Sequence, residues 1–272
     1  SDTSRYLNDA LRELSDPELH FRCIESPPGK IRAHAAIARS QQLNGYLLFV
    51  DADVVFDSDL FVRLFRYLQR DPIAQACYAE VEALPSVAGG VFGRLQNAYY
   101  RQRHRLRQRA HLHGRCFMLR SWIEELESLR SPLADSIELD DPMGLHHGPI
   151  VDDIHYSRVL VHRFGRHAIA LVPDARVRFV PPHSIAELYR DSCRTELELA
   201  RLDVLFPEHA YLEKQLLSGE SGKRRCWDAL WRAGLPAAAY VAIERVMRRF
   251  ARNKARRRMA RLSEGGICPS VT

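Results

Sequence analysis

Tyr46-Leu47-Leu48-Phe49-Val50-Asp51-Ala52-Asp53 is the stretch whose reading decides the fold. Five apolar residues without alternation predict a strand over 46–50 that is buried on both faces, as in a parallel sheet flanked by helices. Two carboxylates follow at once. Acids at a strand's carboxyl end stand where open α/β sheets bind their ligands. Separated by one residue, Asp51 and Asp53 leave the strand at different angles and are able to share one divalent cation. Carboxylate oxygens suit Mg²⁺ or Mn²⁺, which also bind diphosphate oxygens. The plainer reading is a pair of turn or cap aspartates, since Asp-x-Asp is frequent by chance.

Outward from this strand, helices and strands alternate. Toward the amino end, Pro27-Pro28-Gly29 marks a turn, residues 30–42 an alanine-rich helix, residues 21–24 a short strand and residues 5–14 a helix. Toward the carboxyl end, helical spacing covers 58–69, 87–110, 121–129, Asp152–Phe164 and Ile185–Leu205. Strands are expected at 74–81, 113–119, 168–172 and 176–180, and a loop at 131–151. The pattern predicts an α/β fold with a mixed, mostly parallel sheet. Residues 1–205 form the expected catalytic-type domain, and 206–272 a helical, basic extension.

The chain of 272 residues is 46% hydrophobic and 27% charged, an ordinary globular composition. Its net charge of +6 suits anionic partners without choosing among them. The six cysteines are dispersed and make no Cys-x-x-Cys pair, which argues against a disulfide framework and for a cytoplasmic location. The first sixteen residues are polar, unlike a signal peptide. No run approaches the roughly 18 apolar residues of a membrane span.

Several separated motifs then fall in one order. They are Gly29-Lys30 before the alanine-rich helix, the strand ending in Asp51-Ala52-Asp53, Gly114-Arg115-Cys116-Phe117-Met118-Leu119-Arg120, Val151-Asp152-Asp153-Ile154-His155-Tyr156-Ser157-Arg158, and Val172-Pro173-Asp174-Ala175-Arg176-Val177. Over about residues 1–205 this series resembles the family 2 glycosyltransferases of the GT-A (Rossmann-like) type. The resemblance implies a metal-dependent, inverting transferase that moves a sugar from a nucleotide-sugar donor to a hydroxyl of a lipid-linked or polysaccharide-precursor acceptor. It implies Mn²⁺ or Mg²⁺ on Asp51 and Asp53, Asp153 as the base that deprotonates the acceptor, and Asp152 as the supporting acid. Lys30 and Arg194 would meet the donor, Gly114 and Arg115 the acceptor, and His183 would be a third metal ligand. Asp152 and Asp153 also suit a helix amino terminus, whatever their chemistry.

The resemblance has gaps. Asp2 and Thr3 match only the tail of the family's nucleotide-binding stretch, and the strand, helix and strand that normally precede it are not in this sequence. Asp191-Ser192-Cys193-Arg194-Thr195 has the arginine but not the Gln and Trp of processive members. The competing chemistry is a two-metal phosphohydrolase or nuclease on Asp51, Asp53, Asp152 and Asp153; a third reading is an inactive, membrane-associated scaffold. His113, His146 and His147 lack ligand spacing.

Residues 245–261 form a dense basic segment with interleaved apolar residues, the pattern of a helix lying on an anionic membrane surface. The plainer reading of the segment is a solvated tail; on the membrane reading, the cytoplasmic location expected from the cysteines becomes the inner face of the membrane. Nucleic acid is not an expected partner: the alternate arginines at 101, 103, 105, 107 and 109 scatter around a helix, and no nucleic-acid motif is present.

Overall fold

A computed structural model of the chain describes residues 30–40, 45–85, 89–106, 111–123, 126, 152–210 and 222–264. The expected elements at 5–14, 21–24 and 131–151 lie outside them. The described helices are α1 (Lys30–Ser40), α2 (Leu60–Arg70), α3 (Gly90–Leu106), α4 (Asp152–Phe164), α5 (Ile185–Leu205) and α6 (Gly222–Glu264). The strands are β1 (Leu47–Val50), β2 (Val54–Phe56), β3 (Ala76–Ala83), β4 (Cys116–Leu119) and β5 (Ile169–Phe179), in the order β1-β4-β3-β5-β2.

The sheet is mixed, as expected, but not mostly parallel among the described residues. β3 and β5 run parallel, while β1 with β4, β4 with β3, and β2 with β5 are antiparallel. β1, read as a strand with parallel neighbours, pairs with β4 alone among the described strands and is only half-buried. An apolar run reports burial, and burial does not fix the direction of the neighbour.

Strand alternation feeds two apolar layers. Tyr78, Phe117 and Leu119 face α4, which contributes Tyr156, Val159 and Leu160. Cys77, Ala79, Cys116 and Met118 face α2, whose Leu60, Leu64 and Leu68 recur every four residues and are fully buried. Burial of each such leucine contributes about 1.5–3 kcal/mol. Arg120 closes this layer by donating to the carbonyls of Leu68, Asp71 and Ala74 at the end of α2.

β5 joins the two strands expected at 168–172 and 176–180. Its pairing with β3 steps from Ala79↔Val172 to Glu80↔Arg176, so Pro173-Asp174-Ala175 bulge out. Pro173 has no N–H to offer a ladder, which explains the bulge's position. Past it, Phe179 pairs with both Ala83 of β3 and Val54 of β2.

A third apolar cluster joins α3, α5 and α6 through Tyr99, Leu188, Ala237, Tyr240 and Val241. Tyr240 of α6 approaches Tyr100 (5.9 Å between ring centroids), and Tyr100 meets Phe179 edge-on at 5.5 Å. α6 breaks at Gly234, whose φ of 81° and ψ of 173° are not helical. Pro236 then falls in the first turn of the resumed helix, where a missing N–H costs no bond. No helix of the described residues is long and apolar enough to cross a membrane.

Candidate active site

The site forms where β1 ends. The β1–β4 ladder continues one step past Val50↔Cys116, with the Asp51 amide donating to the Arg115 carbonyl at 3.0 Å. Antiparallel pairing therefore carries Gly114 and Arg115 alongside Asp51-Ala52-Asp53. Arg115 lays its guanidinium over the Phe179 ring, 3.8 Å from the centroid, and reaches to 3.6 Å from Asp53. Asp53 itself points outward, with 76% of its side chain exposed.

Lys30, the first residue of α1, stands on the other side. Its Nζ donates to Asp51 Oδ1 at 2.7 Å and lies 3.1 Å from Asp152 Oδ1. Burial works against its charge, but the Asp152 and Asp51 carboxylates outweigh it and raise its pKa. Asp152 is buried at the start of α4. Burial, with Asp153 next to it, pushes its pKa up to about 7 despite Lys30. Its Oδ2 is buried without a hydrogen-bond partner among the described residues.

Asp153 follows with a different set of contacts. Its Oδ2 accepts the Gly114 amide at 2.9 Å and its Oδ1 the Ile154 amide at 2.9 Å. Burial raises its pKa, and those two amides hold the rise back. The approach to Gly114 is close: a Cβ there would lie 3.0 Å from Asp153 Oδ2. Position 114 therefore needs glycine for the sake of the carboxylate. Its amide is also committed to Asp153, a role that the expected contact with an acceptor did not include. Ser157, one turn on, ties the helix to the Gly114 loop by accepting the Leu112 amide and donating to the Asp153 carbonyl.

One member of the cleft escaped the sequence reading. His34 lies one turn after Lys30, shares a hydrogen bond with the Tyr156 hydroxyl at 2.9 Å, and is 3.9 Å from Asp152 Oδ2. Burial, helped by Lys30, lowers its pKa to about 4. Between about 4 and about 7, His34 is neutral and Asp152 protonated, so their contact is not an ion pair there. The signal was available: spacing of four on a helix puts His34 and Lys30 on one face. Thiol chemistry has no place here, because burial pushes Cys77 and Cys116 up to about 12.

Two expected site residues are not joined to this cluster. His183 is exposed before α5, where its amide donates to Glu187 Oε2 at 2.6 Å as part of the capping around Ser184. Arg194 lies on the outward side of α5, opposite its buried Ser192 and Glu196. Among the described residues no three His, Cys, Asp or Glu side chains group closely enough to hold a metal ion. The carboxylates that would be left to a cation are those of Asp51, which also accepts from Lys30, and exposed Asp53. That set fits Mg²⁺ or Mn²⁺ taking its remaining ligands from diphosphate and water, and does not fit an all-protein cage.

No curated protein matches the chain. The family model described as "Glycosyltransferase like family 2" matches residues 1–195, a span that holds Lys30, both aspartate pairs and Gly114. With that match covering most of its length, the chain belongs to the glycosyltransferase-like family 2, which supports a glycosyl-transfer function.

Proposed function

We propose that this glycosyltransferase takes a nucleoside diphosphate sugar as donor and an acceptor hydroxyl, on a lipid-linked or polysaccharide-precursor substrate, and inverts the anomeric centre. The observation that carries the reading is the meeting of four separated motifs in one cleft: Lys30 bridges Asp51 and Asp152, and the Gly114 amide holds Asp153 beside them.

Asp153 is the base. It is less buried than Asp152, its carboxylate is oriented by two amides, and its raised pKa makes it a better proton acceptor than an exposed aspartate. The acceptor oxygen attacks the anomeric carbon, its proton passes to Asp153, and the bond to the diphosphate breaks with its electron pair leaving on the nucleotide. One carboxylate suffices for such a direct displacement, which is why inversion is the outcome proposed. Asp152, held by Lys30, keeps the start of α4 in place. The Lys30 ammonium stands beside the carboxylate pair where diphosphate oxygens are expected. Asp51 and Asp53 would hold the divalent cation, which supplies charge stabilisation to the departing diphosphate. His183 has no part in this donor set.

The phosphohydrolase reading has less support. It needs carboxylates gathered around two metals roughly 3.5–4 Å apart, whereas an ammonium occupies the space between Asp51 and Asp152.

The test uses the full chain with UDP-, GDP- and dTDP-sugars in Mn²⁺, reading release of nucleoside diphosphate against the Asp53→Ala variant. Turnover with one donor class, lost in the variant, is expected. Equal turnover in the variant removes the metal role, and phosphodiester cleavage in place of sugar transfer removes the reading.

A further inference from the structure

The resumed part of α6, after Gly234, has two unlike faces. Ala237, Tyr240, Val241, Ala251 and Ala255 are buried, the first three in the cluster with α3 and α5. On the opposite side Leu235, Val246 and Phe250 are 72%, 47% and 60% exposed. With Ala242 between them, their spacing of seven, four and four keeps them in a single stripe. Trp231, 81% exposed, lies just before the break. Arg245 and Arg249 flank the stripe, and exposed Lys254, Arg256 and Arg257 extend it. The sequence has no acidic residue from 245 to 261.

We propose that this outward face of α6 docks on an anionic lipid bilayer, with Leu235, Val246, Phe250 and Trp231 entering the headgroup boundary and the flanking arginines meeting lipid phosphates. The inference does not depend on the sugar-transfer reading. Large apolar side chains stripped of neighbours and rimmed by a single sign of charge match an interface that is apolar below and anionic above. Other occupants match less well. A second copy seated on the same face would set arginines against arginines. A nucleic acid would satisfy the arginines and leave the apolar stripe in water. Long arginine stems let the charge reach phosphate while the helix sinks.

The test is flotation of the full chain with phosphatidylcholine vesicles and with vesicles rich in phosphatidylglycerol. Binding to the anionic vesicles alone is expected, weakening with salt and accompanied by a blue shift in tryptophan emission that Trp231→Phe removes. Val246→Glu with Phe250→Glu should lower partitioning by about tenfold or more, and Arg245→Glu with Arg249→Glu should abolish the preference for anionic lipid. All four positions are exposed, so the thermal melt should be unchanged; an altered melt transfers the test to Trp231→Ser with Leu235→Ser. Equal binding to neutral vesicles, or partitioning indifferent to these substitutions, overturns the proposal. A salt-resistant dimer that Phe250→Glu splits, or retention on RNA without vesicle binding, overturns it as well.

Discussion

In the helical layer of α3, α5 and α6, buried and half-buried acids lie against guanidinium groups, whereas in the cleft two carboxylates share the ammonium of Lys30 and a third adjoins them. Glu196 takes Arg252 at 2.8 and 3.2 Å, Glu198 takes Arg201, and Glu244 takes Arg248 at 3.0 Å. Asp51 and Asp152 meet at Lys30, and Asp152 raises its pKa further against Asp153. The layer sets guanidinium groups against its acids; the cleft gathers three carboxylates about one ammonium in a place of low solvation. Such an excess destabilises the resting fold and favours a proton or cationic ligand, the mark of a site in place of a structural ion-pair network.

The largest expected effect is on catalysis. Asp153→Asn should lower the transfer rate by about 10²–10⁴-fold with donor affinity retained, measured by steady-state kinetics beside equilibrium donor binding. Unchanged rates would make Asp153 one more structural acid and erase the contrast. Gly114→Ala comes next: with its Cβ 3.0 Å from Oδ2, Asp153 must give way by a few tenths of an ångström. About a tenfold loss of rate is expected, with a melt close to wild type. A large fall in the melt without a specific rate effect would mean that Gly114 serves the fold alone.

Asp152 sharpens the comparison through pH. In the unfolded chain it ionises above 3.8, but in the folded protein only above about 7. Between these values the folded state holds the extra proton, so stability falls as pH rises through this window and levels off beyond it. His34 acts in the opposite sense, adding stability as pH rises from about 4 to its usual 6.5. Asp152→Asn should therefore remove the fall, leave the His34 rise, and make the variant the more stable above about pH 7. Denaturant melts across this range check it; an identical profile in the variant would sink it. The smallest effect belongs to the helical layer. Arg252 is half exposed, so Glu196→Gln should cost only about 1 kcal/mol, or ~2–4 °C in Tm, and leave transfer untouched.

The sequence carried the parts of this fold that local periodicity can carry. α4 and α5 have the bounds read from it, and the strand before Asp51 ends where expected. Strand direction was not legible: β1 and β4 are joined by a pairing that no local pattern encodes. β2 has three residues, too short for alternation to register. Pro173 reads as a break between strands, whereas β5 absorbs it as a bulge because Arg176 can resume pairing at Glu80. In the cleft, the motifs named Lys30, Asp51, Asp152 and Asp153, but not that one lysine would span two of the acids. His34 was missed because a histidine inside an alanine-rich helix carries no motif of its own.

The ring contacts between Tyr240, Tyr100 and Phe179 give the carboxyl-terminal helix a stake in the Asp51-Ala52-Asp53 motif. Phe179 is the platform on which the Arg115 guanidinium rests, and Arg115 is the neighbour of Asp53. Truncation ahead of residue 222 would thus loosen the seat of an aspartate far away in sequence, so a shortened version that stays folded should not be mistaken for a minimal enzyme.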